Sequence, residues 1–190
     1  GSEMCIRDRP MEAILHEMMV VTGGKKAGKE SFTDRLTKLE IIGVYSPIGH
    51  EMQMPFSMVL SSVLAKQRRI LYINLMQNTG FLQLFDSQAE YDIGDLTLRL
   101  RRGTTESEQF FQSIYEMGDF SYVAPFRNPE QLGEFQMDDY RKLLAHLEEN
   151  TKFDTVVFDF GTGIPSIAAF LEECSSIYCP VKEGYFYECQ

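Results

Sequence analysis

The sequence predicts an α/β fold, a mainly parallel sheet with helices on both faces. Apolar runs of strand length recur at residues 39–46, 69–75 and 155–160, and they are continuous rather than alternating, as strands buried on both faces must be. Segments with apolar residues at helical spacing separate them, the pattern of crossovers that return each strand parallel to the last. The 190 residues, 44% hydrophobic and 24% charged, suffice for one domain with a substantial core and exclude a disordered chain.

Gly1 and Ser2 read as a cloning scar, and residues 3–9 resemble the translation of a sequencing-library adapter, so residues 1–10 are set apart as non-native. Residues 10–21 read as an amphipathic helix with Ile14, Leu15, Met18 and Met19 on one face. Residues 22–30 (TGGKKAGKE) read as a flexible linker, so 11–38 form a helix plus a Gly/Lys-rich linker ahead of an α/β domain over 39–190. The linker carries Gly23, Gly28 and Lys29 at the spacing of a phosphate-binding loop. Glu30, however, occupies the place of the Ser or Thr that would hold magnesium, and polar sequence follows where an apolar helix is needed.

From Leu39 the pattern is regular: a strand over 39–46, a helix over 56–66 and a strand over 69–75 make one βαβ unit. Residues 79–85 and 96–115 read as helical segments broken at Gly103, and 121–124 as a short strand stopped by Pro125. Met137, Tyr140, Leu143, Leu144 and Leu147 line one face of a helix. A buried strand over 155–160, a helix over 164–173 and a strand over 176–179 ended by Pro180 complete the pattern. A fold of this kind ordinarily adds a helix and strands after such a point, so the expectation is a domain truncated at both ends.

A net charge of −10 disfavours nucleic acid, whose nonspecific affinity comes from Lys and Arg displacing counterions. The one basic cluster, Arg99, Arg101 and Arg102, reads as a solvated helix end. No apolar run reaches the ~18 to 20 residues of a transmembrane helix and no signal segment opens the chain, which gives a cytoplasmic expectation. Cys5, Cys174, Cys179 and Cys189 lack metal-ligand or CxxC spacing and read as reduced thiols. His16, His50 and His146 are scattered, so no metal site is expected.

Ligands of open parallel sheets bind beyond the carboxyl ends of strands, which directs attention to the turn after the first strand. It reads Val44-Tyr45-Ser46-Pro47-Ile48-Gly49-His50-Glu51-Met52-Gln53-Met54-Pro55-Phe56-Ser57. With the strand ending Ile73-Asn74-Leu75, it resembles, without gaps, the deviant Walker A region of the MinD/ParA-type P-loop ATPases, S-P-K-G-G-V-G-K-T-T before a helix and a strand ending I-D-L-D. The segment from Phe153 to Gly163 is similar to the family's Y-D-x-I-I-I-D-x-P-x-G. In that register the signature lysine falls on Ile48, the P-loop lysine on Gln53, the magnesium-binding threonine on Met54 and the aspartate after the second strand on Asn74. Gly49, Asp159 and Gly163 keep the family's residue type. Asp159 reads two ways, as a capping or turn residue or as a remnant of a metal site.

The departures imply lost chemistry. A P-loop points successive N–H groups at phosphate, glycine permits the curvature, and lysine neutralises the charge. Gln53 supplies no charge, Met54 coordinates no magnesium, His50 and Met52 crowd the loop, and Glu51 sets a negative charge beside it. No cofactor is expected, with ATP and magnesium disfavoured. The resemblance thus implies a noncatalytic pseudo-ATPase, a scaffold or localisation factor with protein partners, and a homodimer. Its nearest look is to the TadZ/CpaE-like group of pilus assembly, which points to pilus or secretion machinery and polar positioning. The alternative is an active ATPase with an atypical loop.

Overall fold

The computed structural model describes residues 39–77, 80–81, 89–103 and 110–182. The helix and linker expected over 11–38, with Gly23 and Lys29, lie outside the described residues, as do Cys5, His16, Cys189 and most of the helix expected over 79–85.

The described elements run in the order β1 (Glu40–Tyr45), α1 (Gln53–Ala65), β2 (Ile70–Leu75), α2 (Ile93–Arg102), β3 (Ile114–Met117), β4 (Phe120–Val123), a 3-10 helix (Pro129–Glu134), α3 (Met137–Asn150), β5 (Thr155–Phe160), α4 (Ile167–Glu172) and β6 (Ser176–Tyr178). The strands form one sheet in the order β3-β4-β2-β5-β1-β6. All neighbours pair parallel except β3 and β4. The α/β reading with a mainly parallel sheet holds.

Strand alternation sorts the side chains into two cores. Ile42, Val44, Ile70, Tyr72 and Val157 join Leu60 of α1 on one face, while Ile41, Leu71, Ile73, Val156, Phe158 and Phe160 join α2, α3 and α4 on the other. Both faces are thus covered, which is why β2 and β5 are buried at all six positions and read as unbroken apolar runs.

Among the boundaries that differ from the sequence expectation, α2 begins at Ile93 rather than Leu96 behind its Asp92 cap, and three others have their own causes. α1 begins at Gln53, three residues before the first apolar repeat at Phe56, because Gln53 and Met54 continue the helix inward along the loop. Tyr115, expected in a helix, lies in β3. Gly103, whose φ of 64° closes α2, breaks the helix as expected and residues 110–111 are again helical, but β3 begins at Ile114 and pairs antiparallel with β4 through a turn at Gly118, also at positive φ. α4 starts at Ile167 rather than 164, after Pro165 and after Ser166, which holds a left-handed φ of 57°.

Ends of helices are fixed by charge and capping. Asp92 and Asp95 form a reciprocal capping box at the start of α2, and Gln136 and Asp139 form one at the start of α3. Asp139 also takes two hydrogen bonds from Arg101, at 2.6 and 2.7 Å, tying the last turn of α2 to the first of α3. Arg99 lies over the Tyr91 ring at 4.2 Å. Arg99 and Arg101 of the basic cluster thus engage neighbouring residues, while Arg102 is exposed as expected of a solvated helix end.

Candidate functional site

β1 and β5 lie side by side, yet the chain leaves β1 for α1 on one face and β5 for α4 on the other. Such a reversal opens a crevice beyond the carboxyl ends of the two strands, the place where open α/β sheets bind ligands. The loop 46–52 lies there, between Tyr45 and the first turn of α1.

Of the loop's N–H groups, those of Ser46, Gly49, His50 and Met52 have acceptors within residues 46–53. The Gln53 side-chain oxygen accepts from Ser46 N–H at 2.9 Å. Gly49 N–H donates to the Ser46 carbonyl at 3.0 Å, and His50 N–H donates to the Ser46 hydroxyl at 3.3 Å. Met52 N–H donates to His50 Nδ1 at 3.0 Å, and Gln53 N–H donates to the His50 carbonyl at 2.9 Å. Pro47 has no N–H to offer. Gly49, at φ 62° with open space around it, makes the bend these contacts need.

Gln53 is the centre of the site. It is 1% exposed, and its amide nitrogen donates to Asp159 Oδ1 at 2.7 Å and to the Phe160 carbonyl at 2.9 Å, with Val44 O and Met76 Sδ farther off. Its amide thus bridges β1, the loop and β5. Asp159 is fully buried in β5, and its other oxygen accepts from the Ser57 hydroxyl at 2.6 Å and the Tyr72 hydroxyl at 2.9 Å. Asn74 Nδ2 donates to Tyr72 at 3.0 Å, while Asn74 Oδ1 accepts from Met76 N–H at 3.0 Å. Burial raises the Asp159 carboxyl above its ordinary range, although hydrogen bonds from Ser57, Gln53 and Tyr72 pull it back. Burial, aided by the nearby Asp159 charge, drives the Tyr72 hydroxyl well up, so it remains a donor.

The residues singled out from the sequence therefore divide. Gln53, Asn74 and Asp159 come together in one buried network. Asp159 is neither a cap nor a turn residue: it sits within β5, paired in register with Val44 and Asn74. Ile48 and Met54 are half-buried and bring no side-chain hydrogen bond to the network, although the Met54 carbonyl lies 2.9 Å from the Ser57 hydroxyl, and Gly49 is exposed. Gly163 lies apart, where a Cβ would meet the end of the Gln77 side chain at 2.7 Å. Glu51 is not a bare negative charge: it pairs with Lys182 at 2.7 Å, and that hydrogen bond lowers its pKa.

Ser57, Ser61 and Tyr72 were not among the expected site residues. Their signal is a polar stripe, Gln53, Ser57 and Ser61 at helical spacing, inside a helix otherwise rich in Met, Phe, Val and Leu, and all three are buried. Ser61 donates to the Ser57 carbonyl at 2.8 Å, which extends the stripe along α1. Among the described residues no group of His, Cys, Asp and Glu is placed to hold a metal ion, and no helix is long and apolar enough to cross a membrane. Cys174 and Cys179 are free thiols, both raised by burial, Cys174 to about 11.

No protein-family model and no curated protein matches the sequence. Solved structures do match in fold. A ParA family ATPase from Chlorobium tepidum matches with a TM-score of 0.61 at 13% identity, over 75% of this chain and 60% of that one. Cobyrinic acid a,c-diamide synthase from Mycobacterium smegmatis, with a bound ATP analogue and magnesium, matches with a TM-score of 0.57 at 15% identity, over 75% and 60%. The MinC:MinD cell division complex of Aquifex aeolicus matches with a TM-score of 0.55 at 15% identity, over 75% and 56%. This chain thus spans less than two thirds of each. It has the mainly parallel α/β fold of the ParA/MinD P-loop ATPases.

Proposed function

We propose that the chain is a noncatalytic member of this fold, a pseudo-ATPase that acts as a scaffold or localisation factor through protein partners. The observation that carries the reading is the inward Gln53 side chain, which occupies the register position of the P-loop lysine and hydrogen-bonds Ser46 N–H, Asp159 and the Phe160 carbonyl. A phosphate needs N–H groups that converge on it, and here those of Ser46, Gly49, His50, Met52 and Gln53 already have internal acceptors.

Magnesium fits no better. It demands oxygen ligands in near-octahedral array, and both Asp159 oxygens are engaged by neutral donors, while Met54 offers only a thioether. A switch that cannot read nucleotide leaves surface recognition as the role of the fold. That the matched MinD is held in a complex with MinC accords with protein partners. The sequence resemblance to TadZ/CpaE-like proteins makes pilus or secretion machinery, polar positioning and a homodimer the extension of this reading, with the cytoplasm as its site.

Isothermal titration with ATP and ADP, with and without magnesium, tests it, beside a Lys29→Ala control. The reading expects no binding at millimolar nucleotide. Binding lost in Lys29→Ala would move the nucleotide loop to the segment before Leu39, and binding retained would mean that the loop 46–52 opens for nucleotide.

A further inference from the structure

The Gln53 amide, the Ser57 hydroxyl and the Tyr72 hydroxyl converge on one buried carboxyl, at 2.7, 2.6 and 2.9 Å. Each donor is positioned by something other than Asp159. Ser46 N–H holds the Gln53 oxygen and Asn74 Nδ2 donates to the Tyr72 hydroxyl, while the backbone of α1 carries Ser57. All of these side chains belong to buried residues. A preorganised set of neutral donors around a carboxyl is a carboxylate-binding cage.

We propose that Asp159 is an internal ligand, a built-in carboxyl group held in this cage, and that its grip on Gln53 latches the loop 46–52 in its self-bonded shape. The proposal rests on the pseudo-ATPase reading and names what regulates that site: the loop is closed by the chain's own carboxylate rather than by a bound phosphate. The logic is mechanical. Gln53 is the sole side chain shown to join the Ser46 amide at the loop's start to Asp159 and Phe160 in β5. With the carboxyl in place, the amide is held by one hydrogen bond on its oxygen and two short ones on its nitrogen, its full donor capacity. With the carboxyl removed, Gln53 loses the shorter of those two, and the Ser46 contact has less to hold it in line.

Chemical rescue tests the cage. Asp159→Ala removes the three heavy atoms that formate supplies, so the variant is titrated with sodium formate against sodium chloride at equal ionic strength. The readouts are the melting temperature and hydrogen exchange at the amides of Ser46, Gly49, His50, Met52 and Gln53. The expected result is faster loop exchange in Asp159→Ala, with formate, but not chloride, raising the melting temperature by several degrees and restoring loop protection. Loop amides as protected in the variant as in the native chain, or formate no better than chloride, would overturn the proposal.

Should Asp159→Ala fail to fold, Gln53→Ala answers the same question by exchange alone. Faster exchange in the loop with unchanged exchange at Ile73 and Val157 supports the latch, and equal acceleration throughout the sheet overturns it. Nucleotide titration of the native chain separates the two claims, since ATP binding there would sink the pseudo-ATPase reading whatever formate does to the variant.

Discussion

At the scale of single residues, the site is decided by what a buried carboxyl can accept. Asp159 sits at zero exposure with three neutral donors and no charge partner among them. Truncating Gln53 to Ala leaves Asp159 Oδ1, the Phe160 carbonyl and Ser46 N–H each short of a partner, and a loss of about 2–3 kcal/mol in urea unfolding is expected. Gln53→Glu should cost more, because it sets a second carboxylate against the first with no cation between them. The pH dependence has a definite sign. Because burial raises the Asp159 pKa, the folded chain holds that proton to higher pH than the unfolded chain, where a carboxyl titrates near ~4. Its contribution is therefore fully present below that value and is lost as pH rises through the folded-state pKa. Asp159→Asn abolishes this slope, so native and variant urea midpoints should diverge from acid towards neutral pH, with the variant gaining; parallel curves would show that Asp159 has one charge state throughout. Gln53, Asn74 and Asp159 were legible as register positions, but their mutual contact was not, since it joins residues 106 apart in sequence. The polar stripe of Gln53, Ser57 and Ser61 was present in the sequence, and it was passed over because the apolar repeat from Phe56 dominated the helix.

Elements meet through a few contacts that can be tested one by one. Burial alone would raise Asp139, but hydrogen bonds from Arg101 and from Gln136 N–H hold it below the ordinary carboxylate range. The α2–α3 tie is therefore present above an unfolded pKa near ~4 and is lost as pH falls through the lowered folded value. With Arg101 partly in solvent, Asp139→Ala should cost about 1–3 kcal/mol at neutral pH and almost nothing at strongly acid pH. The glycines after β5 separate by what a methyl group would strike. A Cβ at Gly161 would lie 2.9 Å from the Leu75 carbonyl oxygen and the Met76 Cα, both backbone, so Gly161→Ala should cost about 1–3 kcal/mol in thermal or urea unfolding. Gly163→Ala meets only the flexible end of Gln77 and should fall within about 0.5 kcal/mol of native. The long buried strands and α3 were legible because their apolar pattern is local and strong. The β3–β4 hairpin was not recognised, although Gly118 and Asp119 between two apolar runs are a hairpin signal, because the helical reading, which holds at residues 110–111, was carried on through Ile114 to Tyr115.

For the molecule as a whole, the decisive feature is the insertion of β5 between β1 and β2, which brings Asp159 beside the loop 46–52. No local pattern shows that insertion: alternating strands and helices imply a parallel sheet but leave the strand order open. The sequence pattern pointed to the turn after the first strand, and the loop 46–52 lies beyond the end of β1, whereas the loop's internal hydrogen bonds could be seen only in three dimensions. The account's central claim is that this loop is closed on itself and stays so in the presence of nucleotide. Hydrogen exchange at the amides of Ser46, Gly49, His50, Met52 and Gln53, measured with and without saturating magnesium and ATP, tests it most directly. Exchange rates unchanged by nucleotide are the predicted result; nucleotide-dependent protection or exposure of these five amides would contradict the account.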